Sequence, residues 1–466
     1  MWPTRFELNP GESRIISTPD GGRELRLLGV SEQTWADDFT DHPARESYAW
    51  AEVRVEVNGV RAVLLQRPYQ MPVVVNGLRL YVETTYNWAH NCQLAGLEDV
   101  QKAVSFSALA QDAEWGPQDL VFPLADFRWR SSSYNNTWSA LVPYNLLYYH
   151  RGEDFGAIPD RLDVLAVWAG EVVQSPLSTP QSSNCVTILA DDGRAASYCH
   201  MNLENIRPDL LSGTRVAAGD VLAKSGETWE GRKCQDLDPH LHFEFDQRLP
   251  GGSSGPERVH QFSPYPFLAA AYLRQYPEGV LAVAGGHSYV RAGEVLNLDA
   301  SRSLARPGQT IRSYAWHLSD GRVVGAAQAQ MRYAGPGLYV EELRVTSTAG
   351  AEDRDYALVR VYDPLRKDRA PAAYNPLSST PVGWGFFYHS PVRDIRPGMQ
   401  VLFWNRLLAN VPGPVRIDFG DGEFEEAVGR ETGHAYRQAG IYTSSLSARG
   451  LYGDPLKIKM RVVVEE

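Results

Sequence analysis

The sequence predicts a mainly β, multidomain protein, and three observations support this prediction. The chain has 466 residues, which is too long for one hydrophobic core and suits three or four domains. It contains 12 Trp and 23 Tyr, and large aromatic side chains favour strands. It also contains 40 Gly and 30 Pro, which supply the turns between short strands.

Residues 1–138 are predicted to form an N-terminal β-sandwich-like domain of strands joined by tight turns. Asn-Gly and Asp-Gly pairs adopt the positive φ angles that hairpin turns require. Such pairs lie within or at the end of three strand-like segments, Glu12–Val30, Val53–Val60 and Val75–Val82. No catalytic signature occurs here, so we expect a packing or substrate-facing role.

Residues 139–276 are predicted to form a second domain, and they hold the residues that suit chemistry. A strand is predicted over Asp238–Phe245, which alternates polar and apolar residues. Residues i and i+2 of a strand face the same side. His240 and His242 are therefore expected side by side, with Leu241 and Phe243 in a core. Two imidazoles on one rigid face suit a zinc site.

Two further histidines precede this pair. His150 and Asp154 are four residues apart, which places them on one face of a strand or a helix, and nearby glycines favour an extended segment or loop. His200 ends a predicted hairpin, with Tyr198 expected on its face. Catalytic zinc takes three protein ligands and an open fourth position. Four histidines and one aspartate are more than the three ligands that such a zinc ion takes, and the additional side chains suit proton transfer.

Further strands and one helix are predicted around these residues. The strand signals are at 164–173, 185–190 and 195–200, and the clearest helical stretch is at 264–276. A loop at 227–239 contains Trp229, Arg232 and Lys233, which we interpret as substrate contacts or as surface decoration.

The C-terminal part contains an internal repeat. Trp316–Gly321 matches Ile417–Gly422, and Tyr333–Tyr339 matches Tyr436–Tyr442. The two copies resemble polycystic-kidney-disease (PKD) domains, which are immunoglobulin-like β-sandwiches. The second copy carries the family's Asp-Phe-Gly-Asp-Gly in full, whereas the first departs from it. We predict PKD-like domains at 277–364 and 381–466, with a linker at 365–380.

Charge and hydropathy exclude some partners and indicate a location. The formal net charge is −11 and no basic block is present, so no nucleic-acid partner is expected. The sequence contains no apolar run of about 18 residues, so no transmembrane segment is predicted. The first residues lack the apolar stretch of a signal peptide. Because the C-terminal modules look extracellular, we expect a secreted or cell-envelope protein whose signal peptide has been removed.

The segment from about 145 to 248 resembles the catalytic domain of lysostaphin-like (LytM, β-lytic) zinc metallopeptidases. That family shows His-x-x-x-Asp, a Tyr-x-His-type segment and His-x-His in this order, as this sequence does. A small-residue strand at 164–173 and a turn at Gly219–Gly226 also match. The loop that precedes His240 is longer than the family's usual version. The resemblance implies an antiparallel β-sheet zinc peptidase domain at 139–276.

The resemblance also implies roles for the five site residues. One Zn²⁺ per chain would be bound by His150, Asp154 and His242, with His200 and His240 as the catalytic histidines. It implies a secreted metalloendopeptidase that cleaves peptide bonds, most readily in peptidoglycan cross-bridges or stem peptides, by zinc-activated water. The partner is then peptidoglycan or a peptide, and the PKD-like domains leave polysaccharide or protein binding open.

Two alternatives and two smaller questions stay open. The chain could be a catalytically inactive LytM-like scaffold, or an adhesive multidomain binding protein. Glu244 shares the face of the histidine pair, as a partner to a ligand imidazole or as a solvated carboxylate. No Cys-x-x-Cys occurs, so a thiolate zinc knuckle is not expected, and either a disulfide or free buried thiols fit the cysteines. The cysteines are Cys92, Cys185, Cys199 and Cys234.

Overall fold

The computed structural model confirms a mainly β architecture of several packed sheets. The predicted linker at 365–380 and two cysteines, Cys92 and Cys234, lie outside the residues that the structure describes. Within the described ranges, no helix is long and apolar enough to cross a membrane. The structure describes residues 2–34, 48–90, 100–143, 147–229, 231–233, 238–249, 258–363, 385–407, 411, 414–427, 429–450 and 453–466.

The N-terminal strands form two sheets that pack face to face. Their elements are β1 Thr4–Leu8, β2 Ser13–Thr18, β3 Gly21–Thr34, β4 Tyr48–Val57, β5 Val60–Gln66, β6 Val73–Val75, β7 Leu78–Thr85, α1 Tyr86–His90 and β8 Val104–Ala110. One sheet has the order β1-β8-β7-β6 and the other β2-β3-β4-β5, and apolar residues of both share one core. The three predicted hairpins are confirmed as the pairs β2–β3, β4–β5 and β6–β7.

The histidines are carried by a central region with one large sheet. Its elements are β9 Asn135–Asn136, β10 Leu141–Pro143, β11 Leu147–Tyr149, β12 Glu153–Gly156, β13 Asp163–Leu165, β14 Gly170–Gln174, β15 Val186–Leu189, β16 Arg194–Cys199, a 3₁₀ turn Leu203–Asn205, β17 Arg215–Val216, β18 Val221–Lys224, β19 Thr228–Trp229, β20 Arg232–Lys233, β21 His240–Leu249, β22 Arg258–Phe262 and α2 Tyr265–Gln275. The sheet order is β17-β14-β15-β16-β21-β12-β9, and β22 also pairs with β21. The helix α2 confirms the predicted helix and packs into the same core as the sheet.

The single strand predicted at 164–173 is wrong, because this stretch is divided between two sheets. Its first part, β13, pairs with β18, whereas its second part, β14, pairs with β15. Between them, Ala166 donates a backbone hydrogen bond to Asp220 and accepts one from Gly219 as the chain crosses over. A run of apolar residues indicates extended chain but does not show where that chain changes sheets.

The two C-terminal repeats are β-sandwiches that share one continuous sheet. Their elements are β23 Val280–Leu281, β24 Ser288–Arg291, β25 Val295–Asp299, β26 Leu304–Ala305, β27 Ile311–His317, β28 Val323–Val324, β29 Gln328–Arg332, β30 Gly337–Ser347, β31 Glu352–Tyr362, β32 Gly385–Ser390, β33 Gln400–Leu407, β34 Val415–Asp418, β35 Phe424–Ala427, β36 Glu431–Ala435, β37 Gly440–Arg449 and β38 Pro455–Val464. The first repeat joins the second where β30 pairs in parallel with β38, at Leu338 and Leu456. The first repeat has an apolar core of its own, and the core of the second repeat also includes Leu338, Val340 and Leu358 of the first.

Buried ion pairs join the two repeats to each other and to the segment that precedes β9. Arg461 of β38 pairs with Asp353 of β31, and both side chains are 1% exposed. Arg461 also donates to the carbonyl oxygen of Trp129 at 2.7 Å. Two residues further along β31, Asp355 pairs with Arg130 at 2.5 Å. Because an unpaired charge in a dry interior is costly, each of these charges requires its partner.

Replacing Arg461 with methionine is expected to lower the free energy of unfolding by about 3–5 kcal/mol, because Asp353 is left as an uncompensated buried charge. Denaturant unfolding followed by tryptophan fluorescence measures this change. The matched control is Arg437→Met, whose side chain is 84% exposed beside Glu423 and should cost less than about 0.5 kcal/mol. Equal losses of stability in the two variants would show that the buried ion pair of Arg461 contributes no more than an exposed one.

Candidate metal centre

Strand β21 presents two histidines on one face, as the sequence predicts. Leu241 and Phe243 are fully buried in the apolar core on the other face of the sheet. His240 and His242 alternate with them and belong to one cluster of potential metal ligands. The period of two along a strand accounts for both placements.

Asp154 reaches the same face from the neighbouring strand β12. The two strands are antiparallel, and Asp154 lies directly opposite His242, so their side chains are neighbours. His150 precedes β12 and is joined to it through Gly152, which has a φ of 109°. A Cβ at Gly152 would lie 2.4 Å from the carbonyl oxygen of Phe243, so only glycine lets the chain pass this close to β21.

Three side-chain atoms from these strands converge in a small triangle. The Nδ1 atom of His242 lies 2.7 Å from Oδ1 of Asp154 and 3.1 Å from Nε2 of His150. The Asp154 and His150 atoms are themselves 3.1 Å apart. Zinc bound at about 2.0–2.1 Å with tetrahedral angles holds its ligand atoms about 3.3 Å apart. Two imidazoles and a carboxylate at this spacing therefore fit a zinc ion.

Each member of the triangle is oriented by a second hydrogen bond. Such outer partners fix the tautomer and the ring orientation of metal-binding histidines. Glu244, whose role the sequence leaves open, is one of them. The partners are the Thr137 carbonyl for Nδ1 of His150 at 3.2 Å, Glu244 for Nε2 of His242 at 2.9 Å, and the Tyr134 hydroxyl for Oδ2 of Asp154 at 2.9 Å.

Two carboxylates, Asp154 and Glu244, flank the ring of His242. Burial alone would lower the pKa of His242, but its hydrogen bonds with Asp154 and Glu244 raise the pKa to about 10. Burial would raise the pKa of Asp154, but the nearby His150 and His240 hold it well below its ordinary value. A divalent cation bound here would take the place of the proton on His242, because metal ligands bind in their deprotonated form.

His200 and His240 form a second group beside the triangle. Their ring centroids are 4.6 Å apart, and one ring nitrogen of each lies within 4.8 Å of one ring nitrogen of His242. The Nδ1 atoms donate to main-chain carbonyls, of Thr228 for His200 at 2.9 Å and of Asp238 for His240 at 2.6 Å. This arrangement leaves Nε2, the other ring nitrogen, free of the main-chain contact. Burial and the two neighbouring imidazoles hold the pKa of His200 well below its ordinary value.

His200 lies just past the end of β16, with a φ of 67°. Few residues other than glycine adopt this left-handed conformation, and those that do cluster at functional sites. The prediction that Tyr198 shares the face of His200 is wrong, because Tyr198 is fully buried in the core and the alternation ends at Cys199. A disulfide joins Cys199 to Cys185 across the hairpin that leads to His200.

The loop after β18 brings one aromatic residue to the centre. The indole of Trp229 is 46% exposed, and its centroid is 5.7 Å from the ring of His200. Lys233 pairs with Glu204 at 2.5 Å, and Arg232 is exposed. Contact between any of these three side chains and a substrate stays a prediction.

Glu244→Gln is expected to weaken zinc binding about tenfold, because the substitution removes the charge that orients and polarises His242. Competition against a chromogenic chelator measures the affinity. Glu171→Gln, a change at an exposed carboxylate on β14, is the matched control and should leave the affinity unchanged. An unchanged affinity in both variants would show that Glu244 does not tune the site.

Comparisons with known families agree with the geometry. The model of peptidase family M23 matches residues 148–253, and that of the PKD domain matches residues 280–361. Both resemblances predicted from the sequence are thereby confirmed, the second on the first repeat, whose motif departs from the family's pattern. For the second repeat, the PKD resemblance stays a prediction. No curated protein matches the chain.

Among solved structures, the similar ones include three bacterial peptidase-related proteins. A candidate glycyl-glycine endopeptidase, lytM from Ruminococcus gnavus, is 24% identical with a TM-score of 0.25, and the match covers 32% of this chain and 59% of that one. The prophage-encoded M23 protein EnpA from Enterococcus faecalis is 22% identical with a TM-score of 0.19, covering 31% and 92%. A zinc-containing peptidase from Vibrio cholerae is 14% identical with a TM-score of 0.23, covering 53% and 85%.

Proposed function

We propose that the chain is a zinc-dependent metalloendopeptidase with one Zn²⁺ bound by His150, Asp154 and His242. The observation that carries the proposal is the triangle of their ligand atoms, 2.7 to 3.1 Å apart, beside two further histidines. The match of residues 148–253 to peptidase family M23 supports the same reaction class.

His200 and His240 are proposed to move protons during peptide hydrolysis. Zinc at this site would polarise the scissile carbonyl and lower the pKa of bound water toward about 7. Each of the two rings is anchored through Nδ1 and keeps Nε2 for the reaction. One ring would accept the proton of the attacking water at Nε2, and the resulting Nε2–H could then stabilise the oxyanion or protonate the leaving amine.

We propose peptidoglycan cross-bridges or stem peptides as the substrate and the cell envelope or the exterior as the location. The disulfide between Cys185 and Cys199 suits an oxidising compartment. The PKD match suits a protein that also binds a polysaccharide or another protein through its C-terminal repeats. These repeats would hold the peptidase domain near an insoluble substrate.

The test combines metal analysis with digestion of purified peptidoglycan. We expect one bound zinc per chain, new fragments in mass spectra, and loss of cleavage after chelation that added zinc reverses. A protein that binds no zinc would refute the proposal. Bound zinc without cleavage of peptidoglycan or model peptides would favour the inactive scaffold, and chelator-insensitive binding to peptidoglycan alone would favour the adhesive protein.

A further inference from the structure

The second C-terminal repeat contacts the metal centre from outside the sheet that carries the ligands. On β32, the N–H of Phe387 donates to Oγ of Ser133 at 2.9 Å, and its carbonyl accepts from the N–H of Ser133 at 2.8 Å. The next residue is Tyr134, whose ring packs edge-on against Phe386 at 5.4 Å. The Tyr134 hydroxyl is the one that orients Asp154.

A second contact reaches the other side of the centre. Arg406 of β33 donates to Glu227 at 2.5 Å, and their side chains are only 4% and 13% exposed. Glu227 precedes Thr228, whose carbonyl accepts from Nδ1 of His200 at 2.9 Å. The N–H of Thr228 also donates to the carbonyl of His200, at 3.0 Å. The ion pair therefore adjoins the backbone that orients this ring.

We propose that Arg406 is a positioning residue for the reaction, which acts through Glu227 and Thr228 to hold the ring of His200. This role rests on the proposed function, and it gives the second repeat a part in the active site beyond binding a distant polymer. A desolvated, charge-assisted hydrogen bond is strong enough to fix a loop. Small displacements of a catalytic group reduce the rate steeply, by up to about 100-fold per ångström.

Steady-state kinetics on purified peptidoglycan tests the role. Arg406→Gln is expected to lower kcat about tenfold, with KM and bound zinc unchanged, because His200 lies outside the ligand triangle. Glu227→Gln should give the same loss, and the double variant should lose no more than either single variant, since both remove one ion pair. Arg406→Lys should restore part of the rate. Arg416→Gln, at an exposed arginine of the same repeat, is the matched control and should behave as wild type.

Two outcomes overturn the proposal, and a second measurement separates it from the proposed function. A wild-type rate in Arg406→Gln, or losses that multiply in the double variant, would show that Arg406 does not act through Glu227.

Proton NMR of the histidine rings reports the hydrogen bond from Nδ1 of His200 directly. We expect this resonance to shift in Arg406→Gln and not in Arg416→Gln, even if the wild-type protein cleaves nothing. An unchanged resonance would overturn the positioning role independently of activity.

Discussion

His242→Ala is expected to lose the metal, whereas His240→Ala is expected to keep the metal and lose rate. The Nδ1 atom of His242 closes the triangle, 2.7 Å from Asp154 and 3.1 Å from His150. Without it, two ligands remain, and a two-ligand site holds zinc poorly. The Nε2 atom of His240 lies 3.5 Å from Oδ1 of Asp154, outside the triangle. Its loss removes a proton-transfer group, which typically costs about 100- to 10,000-fold in rate.

Zinc content after dialysis, measured together with the rate of peptidoglycan hydrolysis, separates the two effects. His317→Ala, a change in the first C-terminal repeat, is the control and should retain both zinc and rate. Equal loss of zinc from His240→Ala and His242→Ala would show that both are ligands. The alternative cluster, made of His200, His240 and His242, would then be the metal site.

Gly226→Ala is expected to lower the rate of hydrolysis about 100-fold while zinc stays bound. A Cβ at this position would lie 2.3 Å from the carbonyl oxygen of His200 and 2.6 Å from the backbone N of Asn202. Backbone atoms cannot move aside as a flexible side chain can, so the segment itself must shift. Gly226 also pairs with His240 across an isolated β-bridge, so one methyl group displaces both assisting histidines.

The rate and the zinc content of Gly226→Ala are compared with those of Gly335→Ala. Gly335 lies in the first C-terminal repeat, and a Cβ there meets no atom within 4 Å. That control should match wild type. A wild-type rate in Gly226→Ala would mean that the positions of His200 and His240 tolerate displacement, which would weaken their assignment to proton transfer.

The parts of the fold that were predicted correctly depend on short-range patterns. Alternation placed Leu241 and Phe243 in the core and the histidine pair opposite them, and Asn-Gly turns marked two of the hairpins. These patterns are local because strand faces alternate with a period of two and tight turns require particular residues. A change of sheet, as at Ala166, leaves no such pattern, so one predicted strand was wrong.

The supports of the metal centre were missed because they come from distant parts of the chain. Tyr134 lies among serines and asparagines with no spacing that suggests a metal site. Thr137 and Thr228 contribute main-chain carbonyls, which every residue carries, so no residue type marks them. The sequence likewise gives no sign that Arg406 meets Glu227, 179 residues earlier. Only packing brings such groups together.

The buried joint between Arg461 and the carbonyl of Trp129 spans 332 residues of sequence. Ribosomes extend a chain by about 5–20 residues per second, so about 17–66 seconds separate the synthesis of these two partners. During that interval, the backbone of Trp129 and Arg130 lacks β38, the strand to which it is hydrogen-bonded in the folded protein. We therefore expect the nascent chain to expose the segment around Trp129 for a substantial time, so that early release or slow translation favours aggregation over folding.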